Sequence, residues 1–554
     1  MSKIARSFIV ILSLCILIAS TSVSNAAAPN GTSNEIKNVI LLIPDGMSTT
    51  GTTLARWYNG GKPLALDEMA SGLVRTYWAA GPITDSAPSA TAYATGYKST
   101  DKYISVAADT VTMPGYAYKN QYEARRPLAT VLEGAKLSGK STGLIATSEI
   151  SHATPACFAS HTASRTEEEN IAEQILYHNI DVVLGGSTHY MTADNRKDGE
   201  DLISVAKENG YDFVTTPEQM KNSKSDKLWG SFADMDLAYD FDRNSLKEPS
   251  LAEMTSKAIS VLSRNKKGFF LMVEGSKVDW AAHGNDPVGV VSDVLAFDKA
   301  VKTALDFAKK DKHTVIISVT DHANGGITIG NSNTNGTYSS IGLDAFMVPL
   351  KKAKLTAEGV AIKIYEDRTA DVKQIISDYY GINDLSDEES QAVDAALKSD
   401  AEKSVTRGQD SAIKAVLAGL MSKRANIGWT TSGHTGEEVT LYTYAPNGQR
   451  LAGVVENTQI AEYIAKSLGI NLDDINKKLF VDASDTFKAK GAEVTIDYSD
   501  IYNAILRVEK GENTYTFPVN KNYCYVNDEE VALPGTTVFT DKFYVPADAA
   551  ALVK

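Results

Sequence analysis

Three apolar runs, far apart in the chain, each end in a carboxylate, and this pattern constrains the fold more than any other feature. Ile36-Lys37-Asn38-Val39-Ile40-Leu41-Leu42-Ile43 leads into Pro44-Asp45-Gly46-Met47. Gly268-Phe269-Phe270-Leu271-Met272-Val273 leads into Glu274-Gly275, and His313-Thr314-Val315-Ile316-Ile317-Ser318-Val319 leads into Thr320-Asp321-His322. Such runs suit strands buried on both faces, as in a parallel sheet. Helical patterns alternate with them, at Pro127 to Lys136, from Ser250 to about Arg264 and from Asp286 to about Phe307. The alternation predicts an α/β fold: a doubly wound, mostly parallel central sheet with helices on both faces. Parallel strands share direction, so Asp45, Glu274 and Asp321 converge on the sheet edge where open α/β folds bind ligands.

Clustered carboxylates repel one another and call for cations. The neighbouring residues extend the supply of ligands. Asp279 and His283 are four apart, a helical spacing that puts both on one face. His322 follows Asp321 directly, and His434 stands in Gly433-His434-Thr435-Gly436. Carboxylate with imidazole suits zinc, and carboxylate with hydroxyl suits magnesium. Asp85-Ser86-Ala87-Pro88-Ser89-Ala90-Thr91-Ala92 places a hydroxyl at the start of a helix of small residues, a favourable position for an anion. Serine is also a common helix cap, so this stretch by itself reads equally as a capped helix or as a nucleophile. A hydroxyl, a set of metal ligands and an arginine, Arg165, together fit phosphoryl transfer. Arg165 can grip two phosphoryl oxygens as a planar fork.

The remaining sequence sets bounds. The chain has 554 residues and a formal charge of -14, which argues against a nucleic-acid binder held by phosphate contacts. Residues 1–26 read as a signal peptide: Lys3 and Arg6, an apolar run from Phe8 to Ile18, then Ser24-Asn25-Ala26. The mature protein is expected to be exported, periplasmic or extracellular, with no membrane span. Cys157 and Cys524, left after signal removal, leave room for one long-range disulfide, but two unpaired thiols are the expectation. Capping boxes are expected at Thr166/Glu169, Ser250/Glu253 and Ser386/Glu389. Residues 357–424 read as a mostly helical insertion. Residues 473–554 read as a small β-rich module, with strands near 494–498, 514–517 and 523–526 and a turn at Asn527-Asp528.

Taken together, these motifs strongly resemble the alkaline phosphatase family, from about Asn38 to Gly469 and in the family's order. The motifs that carry the resemblance are Pro44-Asp45-Gly46-Met47, Thr84-Asp85-Ser86-Ala87-Pro88, His152-Ala153-Thr154-Pro155 with Arg165, Val273-Glu274-Gly275 with Asp279 and His283, Thr320-Asp321-His322, and Gly433-His434-Thr435-Gly436. The resemblance implies a catalytic domain over residues 30–472 that hydrolyses small phosphate monoesters. It implies Ser86 as the nucleophile that becomes phosphoserine, Arg165 as the phosphate clamp and Asp85 as the residue that aims it. It implies two Zn2+ per subunit, one on Asp279, His283 and His434 and one on Asp45, Asp321 and His322. A third ion, usually Mg2+, falls to Asp45, Thr154 and Glu274. It also implies a homodimer. His152 stands where the best-known bacterial members have aspartate, and Trp280 where they have lysine. These two substrate-side positions bear on the third metal and on phosphate release.

Overall fold

The structure is a computed structural model that describes residues 35–115, 122–367, 369–401, 405–408 and 410–554. The expected signal peptide, residues 1–26, lies outside the described residues. The central sheet is built from strands β1 (Asn38–Ile43), β2 (Ala70–Arg75), β3 (Ser141–Glu149), β4 (Val182–Gly186), β5 (Asp212–Val214), β6 (Leu228–Ser231), β7 (Phe269–Glu274), β8 (Thr314–Val319), β9 (Val439–Tyr444) and β10 (Gly453–Glu456). Their order is β10-β2-β9-β8-β1-β7-β3-β4-β6-β5. Strand β9 is antiparallel to both of its neighbours, and every other pairing in the sheet is parallel.

The alternating side chains of β1 explain the two-faced burial. Val39, Leu41 and Ile43 enter one core, with Ala87, Ala90, Phe158, Ile171 and Ile464 from helices on that side. Ile40 and Leu42 enter the other, with Met254, Val294, Phe297 and Val301. The doubly wound expectation therefore holds. The register of the middle strands sets up the site. In β1, Val39 to Ile43 lie opposite Phe270 to Glu274 of β7, and Asn38 to Leu42 lie opposite Thr314 to Ser318 of β8. Strand β3 flanks β7 on its far side, with Ile145 opposite Val273. Four adjacent parallel strands thus deliver their C-terminal loops side by side.

Local signals fared unevenly. The boxes at Ser250/Glu253 and Ser386/Glu389 form, and a further one forms at Thr130/Glu133. The expected box at Thr166/Glu169 does not. That helix is Glu168–Tyr177, the Thr166 hydroxyl pairs with Ser164 Oγ at 2.8 Å, and Glu169 accepts from the Lys197 amide at 2.8 Å. A local hydroxyl partner for Thr166 and a tertiary amide for Glu169 displace the capping motif. Residues 357–424 are mostly helical, at Ala357–Glu366, Asp387–Ser399 and Ala412–Arg424, around Val360, Tyr380, Ile413 and Leu417, and a further helix, Asp344–Lys352, precedes them. The tail opens with two helices, Leu472–Leu479 and Ala483–Ala489, before its β-rich part. There a five-stranded antiparallel meander runs from Glu493–Asp497 to Glu529–Ala532. Asn527 and Asp528 have φ of 50° and 69°, which makes the tight hairpin turn that asparagine and aspartate tolerate. Both Cys157 and Cys524 are free and buried. Among the described residues, no helix is long and apolar enough to cross a membrane.

Phe297 is fully buried in the long helix Pro287–Asp311 and packs against Gly275, just past the end of β7. Phe297→Ala is expected to lower stability by about 3–5 kcal/mol, read as a shift of the urea midpoint without a change in slope.

Candidate active site

The chain leaves β1 through Pro44, Asp45 and Gly46. Gly46 has φ +67°, and a Cβ there would lie 2.4 Å from Asp279 Oδ1 and 2.7 Å from Asp279 Cα. Only glycine lets this loop press against the helix Lys277–His283. The Gly46 amide donates to Asp321 Oδ1 at 3.2 Å, and the Met47 amide to Thr320 Oγ1 at 3.0 Å. The loops after β1 and β8 are therefore tied together.

Ser86 opens the helix Ser86–Thr95, all ten of whose residues are buried. Two hydroxyls bolt this helix to the exit of β8: Ser89 donates to the Asp321 carbonyl at 2.8 Å and Tyr93 to the Thr320 carbonyl at 2.7 Å. Asp85 occupies the cap position but makes no capping bond. Its carboxylate instead accepts from Arg165 Nη1 at 2.7 Å. Burial opposes charge on Asp85, yet the Arg165 guanidinium outweighs it and holds the carboxyl at about 2. Arg165 Nη2 donates to His152 Nε2 at 2.8 Å. Since the guanidinium can only donate, His152 Nε2 accepts, and the ring proton sits on Nδ1. Burial, with Arg165 adding to it, drops His152 to about 3, so the ring is neutral.

Around Ser86 the expected ligands converge in three groups. Ser86 Oγ lies 3.4 Å from Asp45 Oδ2 and 3.3 Å from His322 Nε2. His322 Nε2 is 3.1 Å from Asp321 Oδ2 and 3.5 Å from Asp45 Oδ1. In the second group, His283 Nε2 and His434 Nε2 face each other at 3.1 Å, with Asp279 Oδ2 3.3 Å from the former. Their Nδ1 atoms lie 2.7 Å from the Ser432 carbonyl and 2.8 Å from the Thr84 carbonyl. Carbonyls only accept, so both rings carry the proton on Nδ1 and turn bare Nε2 lone pairs toward each other. A shared cation satisfies that arrangement, either a metal ion or a second proton on His283, where burial opposes charge but the Asp279 carboxylate raises the affinity for protons. In the third group, Asp45 Oδ1, Thr154 Oγ1 and Glu274 Oε1 are buried oxygens with no hydrogen-bond partner. Asp45, His152 and Glu274 also come together closely enough to share an ion. His152, however, turns N–H rather than a lone pair away from Arg165, so it serves a hydrated ion better than a bare one.

The electrostatics agree with this reading. Burial and the Asp321, Asp279 and Glu274 charges raise Asp45, and burial with Asp321 raises Glu274 to about 8. Burial opposes charge on His322, but Asp321 and Asp279 raise it to about 9. Left to protons alone, these carboxyls stay partly neutral; cations are what let them ionise together. The residues present fit metal ions. Two imidazoles with a carboxylate suit zinc, and an all-oxygen set suits a hard cation.

Trp280 stands edge-on to His152, with ring centroids 5.9 Å apart. Lys277 Nζ lies 3.9 Å from the Trp280 ring centroid and pairs with buried Asp236. A cleft of about 810 Å³ opens beside these rings, lined by Trp280, His283, Trp429 and, from the insertion, Glu358, Ser411 and Lys414. Every sequence-derived site residue thus lies in one region. Sequence reasoning missed Asn324, whose Nδ2 donates to Asp279 Oδ1 at 2.6 Å. Asn324 pairs with His434 through a two-residue antiparallel bridge, which carries the histidine to the site. Its only sequence signal is a Gly/Asn-rich loop, which by itself reads as loop.

The alkaline phosphatase family model matches residues 36–470. The chain is 41% identical to Alkaline phosphatase 4 of Bacillus subtilis over 462 residues, covering 80% of this chain and 91% of that protein. It is 31% identical to the repressible alkaline phosphatase of Saccharomyces cerevisiae, covering 91% and 94%. Among solved structures, it is similar to the alkaline phosphatase of Thermus thermophilus, with a TM-score of 0.68, 29% identity, and coverage of 79% of this chain and 92% of that one.

Because a Cβ at position 46 collides with the backbone of Asp279, Gly46→Ala is expected to displace that carboxylate. A displacement of this kind should cut kcat/KM by about 100-fold, with a matching fall in bound metal by elemental analysis and an unchanged far-UV spectrum.

Proposed function

The chain belongs to the alkaline phosphatase family, a family of phosphoric monoester hydrolases, and from that premise we propose a mechanism through phosphoserine at Ser86. The observation that carries it is the placement of one buried hydroxyl at a helix start, within 3.4 Å of two members of the carboxylate–imidazole cluster and beside a pre-held arginine. The Ser86 oxygen attacks phosphorus, forming an Oγ–P bond as the ester P–O bond breaks and the alcohol leaves. Water then attacks the phosphoserine, releasing inorganic phosphate and restoring the hydroxyl. Arg165 offers its remaining N–H donors to the phosphoryl oxygens, while Asp85 and His152 fix the plane of the fork. The helix Ser86–Thr95 adds its N-terminal dipole to the same anion.

In this reading Asp279, His283 and His434 would hold one Zn2+, Asp45, Asp321 and His322 a second, and Asp45, Thr154 and Glu274 a Mg2+. Bound there, the ions lower the serine pKa and neutralise charge on the attacking and leaving oxygens. Asp85 serves as the residue that aims Arg165. It is no base for its neighbour, because its charge is committed to the guanidinium. Residues 30–472 form the catalytic domain, with residues 473–554 as an appended module. The resemblance further supports export after removal of residues 1–26 and assembly as a homodimer.

An aryl phosphate monoester and diester assayed at alkaline pH test the reading. Ser86→Ala is expected to lose about 10³-fold or more of kcat on the monoester, and a chelator to abolish turnover until metal is restored. Equal rates for wild type and Ser86→Ala, or preference for the diester, would overturn it.

Positions 152 and 280 generate a second expectation. His152, neutral, and Trp280, uncharged, add no positive charge to that of Arg165 at the phosphate. His152→Asp with Trp280→Lys is expected to tighten competitive inhibition by phosphate about tenfold, the equivalent of ~1.4 kcal/mol. The inhibition constant measures it directly.

A further inference from the structure

A second cluster of histidine and carboxylate lies outside the catalytic group. Glu133, on the helix Val131–Leu137, is buried, and so are His161 and His178. His161 Nε2 and His178 Nε2 both approach the same oxygen, Glu133 Oε1, at 3.1 and 3.0 Å. The other carboxylate oxygen is taken by the Thr130 amide at 2.8 Å. The outer ring nitrogens settle where the protons are. His161 Nδ1 lies 3.0 Å from the Ser105 carbonyl and His178 Nδ1 lies 2.8 Å from the Gln174 carbonyl. Carbonyls accept only, so each Nδ1 bears a proton, and each Nε2 faces the carboxylate oxygen as a bare lone pair unless its ring takes up a second proton. Three acceptor positions then meet at hydrogen-bond distance. Filling that gap with protons requires both rings to be charged together in a buried place, with ring centroids 6.3 Å apart. One divalent cation satisfies all three atoms at once.

The pattern repeats that of His283 and His434, whose Nδ1 atoms are likewise held by backbone carbonyls while their Nε2 atoms converge. Space for a further ligand is present. A cavity of about 170 Å³ is lined by Glu133 and His178, and by Leu479, Asn522, Leu533 and Gly535 from the tail. The tail also grips the cluster from the other side. Phe480 packs edge-on against His161 with centroids 4.7 Å apart, and Asn520 accepts from Gln174, which holds the His161 backbone amide.

We propose that Glu133 Oε1, His161 Nε2 and His178 Nε2 form a structural zinc-class site, completed by a water from the adjoining cavity, at the seam between the sheet's helices and the tail. Two imidazoles, one carboxylate and a water form a ligand set that zinc accepts in tetrahedral geometry. The site pins the end of the helix Glu168–Tyr177 and the start of the tail to the capping box at Thr130.

Crystals of the full-length enzyme grown with zinc, with data collected on both sides of the zinc edge, test the proposal. An anomalous peak about 2.0–2.2 Å from all three atoms is expected. Absence of a peak there overturns the proposal, whatever is found at the catalytic ligands; peaks at the latter bear separately on the mechanism above. In solution, Glu133→Gln keeps an amide oxygen for the Thr130 capping box and removes the carboxylate. Glu133→Gln and His178→Asn are each expected to bind about one zinc fewer per chain than wild type, with kcat/KM on a phosphate monoester within about twofold and a lower melting temperature. Unchanged zinc content in variants that remain folded would show that protons, not a metal, hold the cluster.

Discussion

Like charges buried side by side dominate this molecule. Strands β8, β1, β7 and β3 are neighbours, and their C-terminal ends and the segments just beyond them carry Asp321, Asp45, Glu274 and, with His152, Thr154. Packing that many acceptors into a dry sheet edge is unfavourable unless cations neutralise them. The fold supplies partial compensation through backbone amides from Gly46 and His322 on Asp321, and through Asn324 on Asp279. The remaining orphan oxygens on Asp45, Glu274 and Thr154 mark where compensation is incomplete. Strain of this kind is characteristic of a functional site, because a core built only for stability would not retain it.

How much of this was legible in the sequence depended on the range of the interaction. An acid directly after an apolar run is a local signal, and parallel strand direction turns three such signals into one site. The helical spacing of Asp279 and His283 is equally local. Asn324 was not legible, because its importance comes from a two-residue bridge to His434, 110 positions away by sequence number. The Thr166/Glu169 motif failed for the opposite reason: its residues had better partners in Ser164 and Lys197. His161 and His178 were overlooked because neither follows a strand, and what joins them is Glu133, itself read only as part of a helix.

Residues 357–424 and the tail each pack largely around apolar residues of their own. The insertion packs its own apolar residues, with Leu54, Val288 and Val291 of the core beneath them, and forms one wall of the cleft beside Trp280. The tail builds a separate apolar cluster from Phe487, Leu506, Phe517 and Val545, and meets the core through polar contacts of Asn520 and Lys521 and through Leu479 and Phe480, which pack with Ala129. Neither region contributes a group to the Ser86 cluster, so each can vary without disturbing the convergence of strand ends.

The three-way contact of Arg165, Asp85 and His152 has an entropic meaning. A free arginine side chain carries about 2 kcal/mol of rotational freedom, which an incoming anion would normally have to quench. Here folding has already quenched it. Asp85 and His152 hold one nitrogen of the guanidinium each, so the plane of the fork is settled before any ligand arrives. If Arg165 is the phosphate clamp we propose, a tetrahedral oxyanion meets a rigid template and not a searching arm. Selectivity for its size and shape follows from a geometry that cannot adjust to a poorer fit.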